Sequence, residues 1–146
     1  MAAESDYDAL KLENQLCFPL YAAARKVTGL YTPYLKEIGL TYTQYLVMMI
    51  LWEKDGIRIS DICTRLHLDT GTVTPMLKKM EEEGLLKRTR CADDERTVLI
   101  TLTEKGHDLK EKAGDIPAKV GPCIPLSIEE AETLYRLLYQ IMGEEA

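Results

Sequence analysis

The chain has 146 residues and a formal net charge of −6, so a single domain is long enough to bury a core or to share one with a partner. The negative charge argues against a protein that coats nucleic acid indiscriminately. Residues 57–90, however, carry seven Lys/Arg against five Asp/Glu. This local excess of positive charge is compatible with a DNA reader that makes a few contacts and depends steeply on salt.

Targeting and metal-binding signals are missing from the sequence. The N-terminus, MAAESDYDAL, has no basic region followed by an apolar run, and the longest apolar run, Tyr45 to Trp52, is far too short to cross a bilayer. We therefore expect a cytoplasmic protein with no membrane partner. The four cysteines form no CxxC pair, so we expect reduced thiols and neither a metal site nor a cofactor.

The first third of the chain is predicted to be helical. A helix is expected from about residue 7 to residue 28, ending at Gly29, and a short second helix is expected over about 33–39. The capping box at residues 41–44 then starts a strongly apolar helix that ends near residue 56.

The next two elements have the pattern of a helix-turn-helix. A short helix over residues 58–66 leads through a turn at 67–69 into a second helix, whose apolar face repeats at spacings of three and four. Its polar face carries hydroxyl and ammonium groups suited to phosphates and base edges, on Thr70, Thr72, Thr74, Lys78 and Lys79. Gly84 is expected to end this helix. Pro75 either opens it, with Thr74 as N-cap, or lies one turn inside it at a cost.

A pair of strands is predicted after this helix. The first carries Arg88 and Arg90, and the second, residues 98–102, alternates apolar and polar residues. Between them lies an acidic tip, in which carboxylates such as Asp94 are expected to hold Arg96. An arginine held in this way is suited to a narrow minor groove.

The remaining residues are predicted to form helices that lie outside this module. Thr103 caps a helix that runs towards Pro117, and the capping box at 127–130 starts a last helix. Apolar residues form one stripe on that last helix: Ile128, Ala131, Leu134, Tyr135, Leu138, Ile141 and Met142. Such a stripe requires a partner, and a second copy of the chain is the simplest one.

Two motifs resemble a known family. The sequence Asp94-Glu-Arg96 followed by Val98-x-Ile100-x-Leu102-Thr103 resembles the wing signature of MarR-family winged-helix repressors, and residues 71–81 are closer still to the OhrR-type organic-peroxide sensors. The resemblance covers nearly the whole chain. It implies a mostly α fold with a small β wing: one domain over 1–146, with a winged helix-turn-helix at about 41–103 and dimerisation helices at about 7–38 and 104–146. It also implies a homodimer that reads a palindromic double-stranded operator.

Cys17 is the candidate for redox chemistry. A lone cysteine among apolar residues is usually a small core side chain. Pro19 either kinks a continuous helix, which would bring Tyr21 one turn from the thiol, or starts the helix, which would put Cys17 at an N-terminus where the dipole favours a thiolate. The resemblance favours the redox role. It implies a reactive cysteine at this position, hydrogen-bonded by tyrosines matching Tyr21 and Tyr31, with the tyrosine matching Tyr42 coming from the other subunit.

The other cysteines have weaker claims. Cys123 lies in a Pro-rich loop and is either an incidental thiol or, as the resemblance implies, a resolving cysteine that pairs across the dimer with the oxidised Cys17. A small thiol is the alternative partner. Cys63 is expected to be a core residue, and Cys91 an incidental residue of the wing.

The sequence therefore predicts a regulator and no enzyme. We expect a DNA-binding repressor that senses organic hydroperoxides or similar oxidants through Cys17 and then releases its operator. The main alternative is a MarR-type repressor released by a small aromatic ligand that binds without covalent chemistry. A thiol peroxidase is a weaker alternative, because the chain lacks a Pro-x-x-x-Thr/Ser-x-x-Cys pattern. A winged helix that binds only a protein partner is the third.

Overall fold

The computed structural model describes the backbone of residues 4–145 and the side chains of residues 7–145. Two compact units are present, one up to Ile116 and one from Pro117 onward. The helices and strands, in chain order, are α1 Cys17–Glu37, α2 Tyr42–Glu53, β1 Ile57–Arg58, α3 Ile59–Leu66, α4 Thr70–Glu82, β2 Leu86–Arg90, β3 Val98–Leu102, α5 Glu104–Ala113, α6 Ile116–Val120 and α7 Ile128–Met142. Short 3₁₀ turns cover Glu4–Leu10, Leu12–Asn14 and Gly121–Cys123. The chain is thus mostly helical with a small β wing, as predicted.

The N-terminal helix differs from the prediction at both ends. α1 begins at Cys17 and not near residue 7, and it continues through Gly29 and Pro33 to Glu37. The expected break at Gly29 and the separate helix over 33–39 are therefore wrong. Pro19 lies in the first turn, where a backbone N–H has no intrahelical partner to lose. The prediction that Pro19 starts the helix and leaves Cys17 at its N-terminus is therefore the correct one.

Proline is tolerated inside α1 and α4 in the same way. Pro33 follows Gly29 by four residues, and Pro75 follows Gly71 by four residues. In each case the carbonyl that loses its amide donor, and that the proline ring crowds, belongs to a glycine. Glycine has the backbone freedom to adjust at that point, so each helix continues past its proline.

The second helix of the helix-turn-helix begins at Asp69 and not at Thr74. The Asp69 carboxylate accepts a hydrogen bond of 2.7 Å from the Thr72 N–H, which makes Asp69 the N-cap of α4. Pro75 therefore lies inside the helix, and Thr74 is not the cap. Gly84, at φ +77°, ends α4 as expected, because the left-handed backbone there suits glycine.

The three strands form one antiparallel sheet in the order β1-β3-β2. β2 and β3 pair from Leu86 opposite Leu102 to Arg90 opposite Val98, and β1 pairs Ile57 with Ile100. The sequence did not predict β1, because two residues are too few to show an alternating pattern. The core beside the sheet consists of fully buried side chains from α2, α3, α4 and β3: Met48, Leu51, Ile62, Val73, Leu77, Met80 and Ile100.

α5 packs tightly on the start of the wing. Thr103 caps α5 and also donates a 2.6 Å hydrogen bond from its hydroxyl to the Gly84 carbonyl. A Cβ added at Gly106 would lie 2.1 Å from the Leu85 carbonyl oxygen, so only glycine fits. The Asp55 carboxylate accepts a 2.9 Å hydrogen bond from the Leu102 N–H and ties β3 to the end of α2.

In the second unit, α7 begins at the predicted capping box of Ser127 and Glu130. The predicted apolar stripe is on this helix, and several of its members are exposed, including Ile128, Leu134, Tyr135, Ile141 and Met142. Among residues 4–145, no helix has the length and apolar character needed to span a bilayer.

Candidate DNA interface and thiol site

A cleft of about 440 Å³ lies between α4 and the wing. Its lining is rich in cations and hydroxyls: Arg58, Ile59, Ser60, Thr70, Thr74, Lys78, Arg88, Arg90, Arg96, Thr97 and Val98. Five positive side chains thus converge in a chain whose net charge is −6. Such a concentration of Lys and Arg suits a polyanion such as the DNA backbone.

Most of the residues that the sequence predicted for DNA binding are gathered at this cleft. Those that line it are Thr70, Thr74, Lys78, Arg88, Arg90 and Arg96. Thr72, Lys79 and Asp94 are exposed nearby but outside the lining. The sequence reading missed Arg58 and Ser60. Arg58 reaches the cleft because it lies on β1 and pairs with Leu99 of β3, a long-range pairing that no local signal announces.

Asp94 organises the tip of the wing. Its carboxylate accepts hydrogen bonds from the Arg96 N–H at 3.0 Å and from the Thr97 hydroxyl at 3.1 Å, and its carbonyl accepts one from the Thr97 N–H at 2.9 Å. The Arg90 guanidinium donates a 2.9 Å hydrogen bond to the Glu95 carbonyl. Asp94 therefore holds Arg96 through its main chain, which leaves the described bonds of this carboxylate away from the guanidinium.

Glu81 clamps α4 to β2. One carboxylate oxygen accepts a 2.9 Å hydrogen bond from the Arg88 N–H, and the other accepts a 3.0 Å hydrogen bond from Arg88 Nε. These backbone and side-chain hydrogen bonds from Arg88 lower the pKa of Glu81 below its ordinary value. Arg88 is thus partly committed to holding the two sides of the cleft at a fixed separation.

The thiol of Cys17 lies at the exposed first residue of α1. Unpaired N–H groups and the helix dipole favour an anion at such a position. Leu16, Phe18 and Leu20 around it are also exposed, so the thiol lies in an apolar surface. Tyr21 lies one turn further along α1, and the Arg25 guanidinium lies 5.6 Å from the centre of its ring.

Two of the four predicted sensor residues lie together, away from the other two. The rings of Tyr31 and Tyr42 have centroids 5.1 Å apart. Tyr31 follows Cys17 by fourteen residues on the same helix, a rise of about 21 Å at 1.5 Å per residue. Within one chain, therefore, neither Tyr31 nor the Tyr42 ring that contacts it reaches the thiol. The expectation that only Tyr42 would have to come from a second subunit is wrong, because the same applies to Tyr31.

The sequence reading missed Tyr45, which extends the aromatic cluster. Its ring centroid lies 5.9 Å from Tyr31, 6.4 Å from Tyr42 and 6.4 Å from Trp52. Burial, and then the neighbouring Tyr31, raise the pKa of both Tyr42 and Tyr45. Both phenols are therefore neutral hydrogen-bond donors near pH 7. The i, i+3 spacing of Tyr42 and Tyr45 in the apolar helix was the available signal.

The other three cysteines are thiols in separate places. Cys63 is partly exposed, with Sγ 4.0 Å from the Thr70 hydroxyl, so it is not the fully buried core residue that was expected. Cys91 is partly exposed in the wing. Cys123 is exposed in the second unit, and its thiol lies 3.5 Å from the Lys119 carbonyl. Within the described residues, no cluster of His, Cys, Asp and Glu is arranged to hold a metal ion.

Comparisons with known proteins agree with this arrangement. The family described as transcriptional regulator SarA/Rot matches residues 29–113. The organic hydroperoxide resistance transcriptional regulator of Bacillus subtilis (strain 168) is 47% identical over 139 residues, which cover 95% of each protein. MgrA of Staphylococcus aureus, an HTH-type transcriptional regulator, is 40% identical over 136 residues, 92% of each protein.

The fold is also found in a solved complex. The structure of reduced AbfR bound to DNA matches with a TM-score of 0.77 and 34% identity, over 97% of this chain and 98% of that one. These relatives are regulators and not enzymes. The chain therefore belongs to the SarA/Rot family of transcriptional regulators, among the OhrR-type members of the wider MarR-type winged-helix proteins.

Proposed function

We propose that this protein is a cytoplasmic, dimeric transcriptional repressor that senses organic hydroperoxides or related oxidants through Cys17 and then releases its operator. The observation that carries the proposal is the exposed Cys17 thiol at the N-terminus of α1, among exposed apolar side chains. Such a surface favours an organic oxidant over a fully polar one. The likeness to the Bacillus subtilis organic hydroperoxide resistance regulator supports the same chemistry.

The cleft between α4 and the wing supports the DNA-binding role. Thr70, Thr74 and Lys78 of α4 would face the major groove, and Arg96 at the wing tip would face the adjacent minor groove. Thr72 and Lys79 would contact the flanking backbone. Since five cations line one cleft, affinity should fall steeply as salt rises.

A two-fold dimer explains both the separated tyrosines and the exposed helix faces. If Tyr31 and Tyr42 of one copy lie against the N-terminus of α1 of the other, their neutral hydroxyls can donate hydrogen bonds to the Cys17 thiolate, together with its own Tyr21. We propose that the helices over about 7–38 and 104–146 make the dimer and that the module over about 41–103 reads the DNA. The exposed apolar side chains of α7 support this division. Two reading modules related by a two-fold axis match a palindromic operator.

The sensing step is a two-electron oxidation of sulfur. The Cys17 thiolate attacks the outer oxygen of the hydroperoxide, the S–O bond forms as the O–O bond breaks, and the alkoxide takes a proton and leaves as an alcohol. Cys17 is then a sulfenic acid. A second thiol, either Cys123 of the partner copy or a small thiol, can displace its oxygen as water and form a disulfide. Either product removes the anion that the tyrosine hydroxyls would bind, so the spacing of the two reading modules changes and the operator is released.

The test compares the wild type with Cys17→Ser on a duplex selected for binding by the reduced protein. Cumene hydroperoxide should release the wild type and leave Cys17→Ser bound, and mass spectrometry should find the added oxygen or disulfide on Cys17. Release of Cys17→Ser by the peroxide would contradict the proposal. Release of both proteins by a small aromatic acid without oxidation would instead support a non-covalent inducer. Rapid multiple turnover of peroxide with a reductant would indicate a peroxidase.

A further inference from the structure

Trp52 connects the aromatic cluster of α2 to the base of the wing. Its indole N–H donates a 2.9 Å hydrogen bond to the Gly106 carbonyl, and its own carbonyl accepts a 3.1 Å hydrogen bond from the Lys110 ammonium. Gly106 and Lys110 lie one turn apart on α5, so two successive turns of α5 hold the same residue of α2. Neither bond is needed for helix formation, because both join residues more than fifty positions apart in the sequence.

The contact continues from α5 to the DNA-reading cleft. The Leu85 carbonyl oxygen, against which Gly106 is wedged, also accepts a 3.1 Å hydrogen bond from the Thr103 N–H. Leu85 donates its own N–H to the Met80 carbonyl of α4 at 3.0 Å and leads directly into β2. A movement of α5 therefore changes the junction between α4 and the wing, which form the two sides of the cleft.

The contact continues in the other direction to the proposed sensor residues. The Trp52 ring lies edge-on to Tyr45, with centroids 6.4 Å apart, and Tyr45 lies 6.4 Å from Tyr42 and 5.9 Å from Tyr31. Tyr45 is only 4% exposed. Since buried side chains pack at crystal density and leave no free space, a displaced Tyr42 must move its neighbours or the whole of α2.

We infer that the pair of contacts from Trp52 to α5, here called the Trp52 latch, transmits the oxidation state of the thiol site to the DNA-reading cleft. This inference rests on the proposed function. It makes Trp52 and Lys110 positioning residues that act through α5 and touch neither the oxidant nor DNA. Breaking the latch should leave both end activities in place and weaken only the coupling between them.

The test measures the coupling as the ratio of operator Kd in the oxidised protein to that in the reduced protein, at complete Cys17 oxidation verified by mass spectrometry. Trp52→Phe and Lys110→Met should oxidise at the wild-type rate and bind operator normally when reduced. Their Kd ratio should be about fivefold smaller than that of the wild type, the factor expected for one lost hydrogen bond of about 1 kcal/mol. Lys112→Met, an exposed lysine on the same helix, serves as the matched control and should keep the wild-type ratio.

A second readout needs no variant. Trp52 is the only tryptophan in the chain, so the indole emission of the wild type reports on the latch directly and should shift on oxidation. Unchanged emission during operator release would overturn the inference, as would wild-type Kd ratios in both variants. Loss of DNA binding by reduced Lys110→Met would also contradict it, because the contact would then only support the cleft. If the oxidised wild type stays on its operator, the proposed function itself fails, and that outcome is distinct from a wild type and variants that all respond.

Discussion

Replacement of Gly106 by alanine is expected to destabilise the protein by about 2–3 kcal/mol. The new Cβ would lie 2.1 Å from the Leu85 carbonyl oxygen, a backbone atom that cannot rotate away, and 3.0 Å from a methyl group of Leu102. Relief requires α5 to move by about 1 Å, which costs 1–3 kcal/mol for overpacking. The movement also weakens the Trp52 to Gly106 hydrogen bond by about 1 kcal/mol. The higher helix propensity of alanine returns up to about 1 kcal/mol.

Urea unfolding of Gly106→Ala and wild type at one fixed protein concentration would measure this difference, since a dimer's stability depends on concentration. Gly114→Ala is the matched control. Its Cβ would meet the Glu111 carbonyl oxygen at an ordinary 3.5 Å, so its free energy of unfolding should stay within about 0.5 kcal/mol of wild type. Equal stabilities of the two variants would refute the argument from close approach.

Three further predictions concern the cleft. Because hydrogen bonds from Arg88 lower the pKa of Glu81, the clamp should contribute stability above the ordinary carboxyl pKa and lose it as pH falls through the lowered folded pKa. The difference in melting temperature between wild type and Glu81→Gln should therefore shrink on acidification towards pH 3, and a difference that grows would contradict this. Arg58→Ala should weaken operator binding and reduce the slope of log K against log salt by about 1, whereas Lys112→Ala should do neither; an unchanged slope in Arg58→Ala would remove Arg58 from the interface. Asp94→Ala should weaken DNA binding and leave the melting temperature nearly unchanged, because Asp94 holds only the exposed wing tip; gel shifts and thermal melts would show whether a large stability loss instead explains the defect.

Local signals in the sequence predicted most of the helical boundaries. The capping boxes at 41–44 and 127–130, the Thr103 cap and the glycine at 84 are satisfied within a few residues of the chain. Such hydrogen bonds form wherever these residues occur together, so the sequence alone is sufficient to predict them. The alternation at residues 98–102 predicted β3 for the same reason.

Where two local signals compete, the sequence left the outcome open or led to a wrong prediction. Gly29 and Pro33 read separately as a helix end and a helix start, yet they lie one turn apart inside α1. Pro75 read as a possible helix start, yet the stronger cap at Asp69 prevailed. In both helices a favourable sum over many residues outweighs one lost hydrogen bond, and a local reading does not include that sum.

The sequence by itself determined which residues are chemically suited to read DNA and to react with an oxidant, and it determined the order of the elements that carry them. Only the tertiary structure decided that Arg58 joins the cleft through β1, that Tyr31 accompanies Tyr42 about 21 Å along α1 from Cys17, and that Trp52 is bonded to α5. The physical reason is range. Caps and periodic patterns are made by residues within a few positions of one another, whereas these contacts join residues 11 to 58 positions apart, whose meeting depends on how whole helices and strands pack.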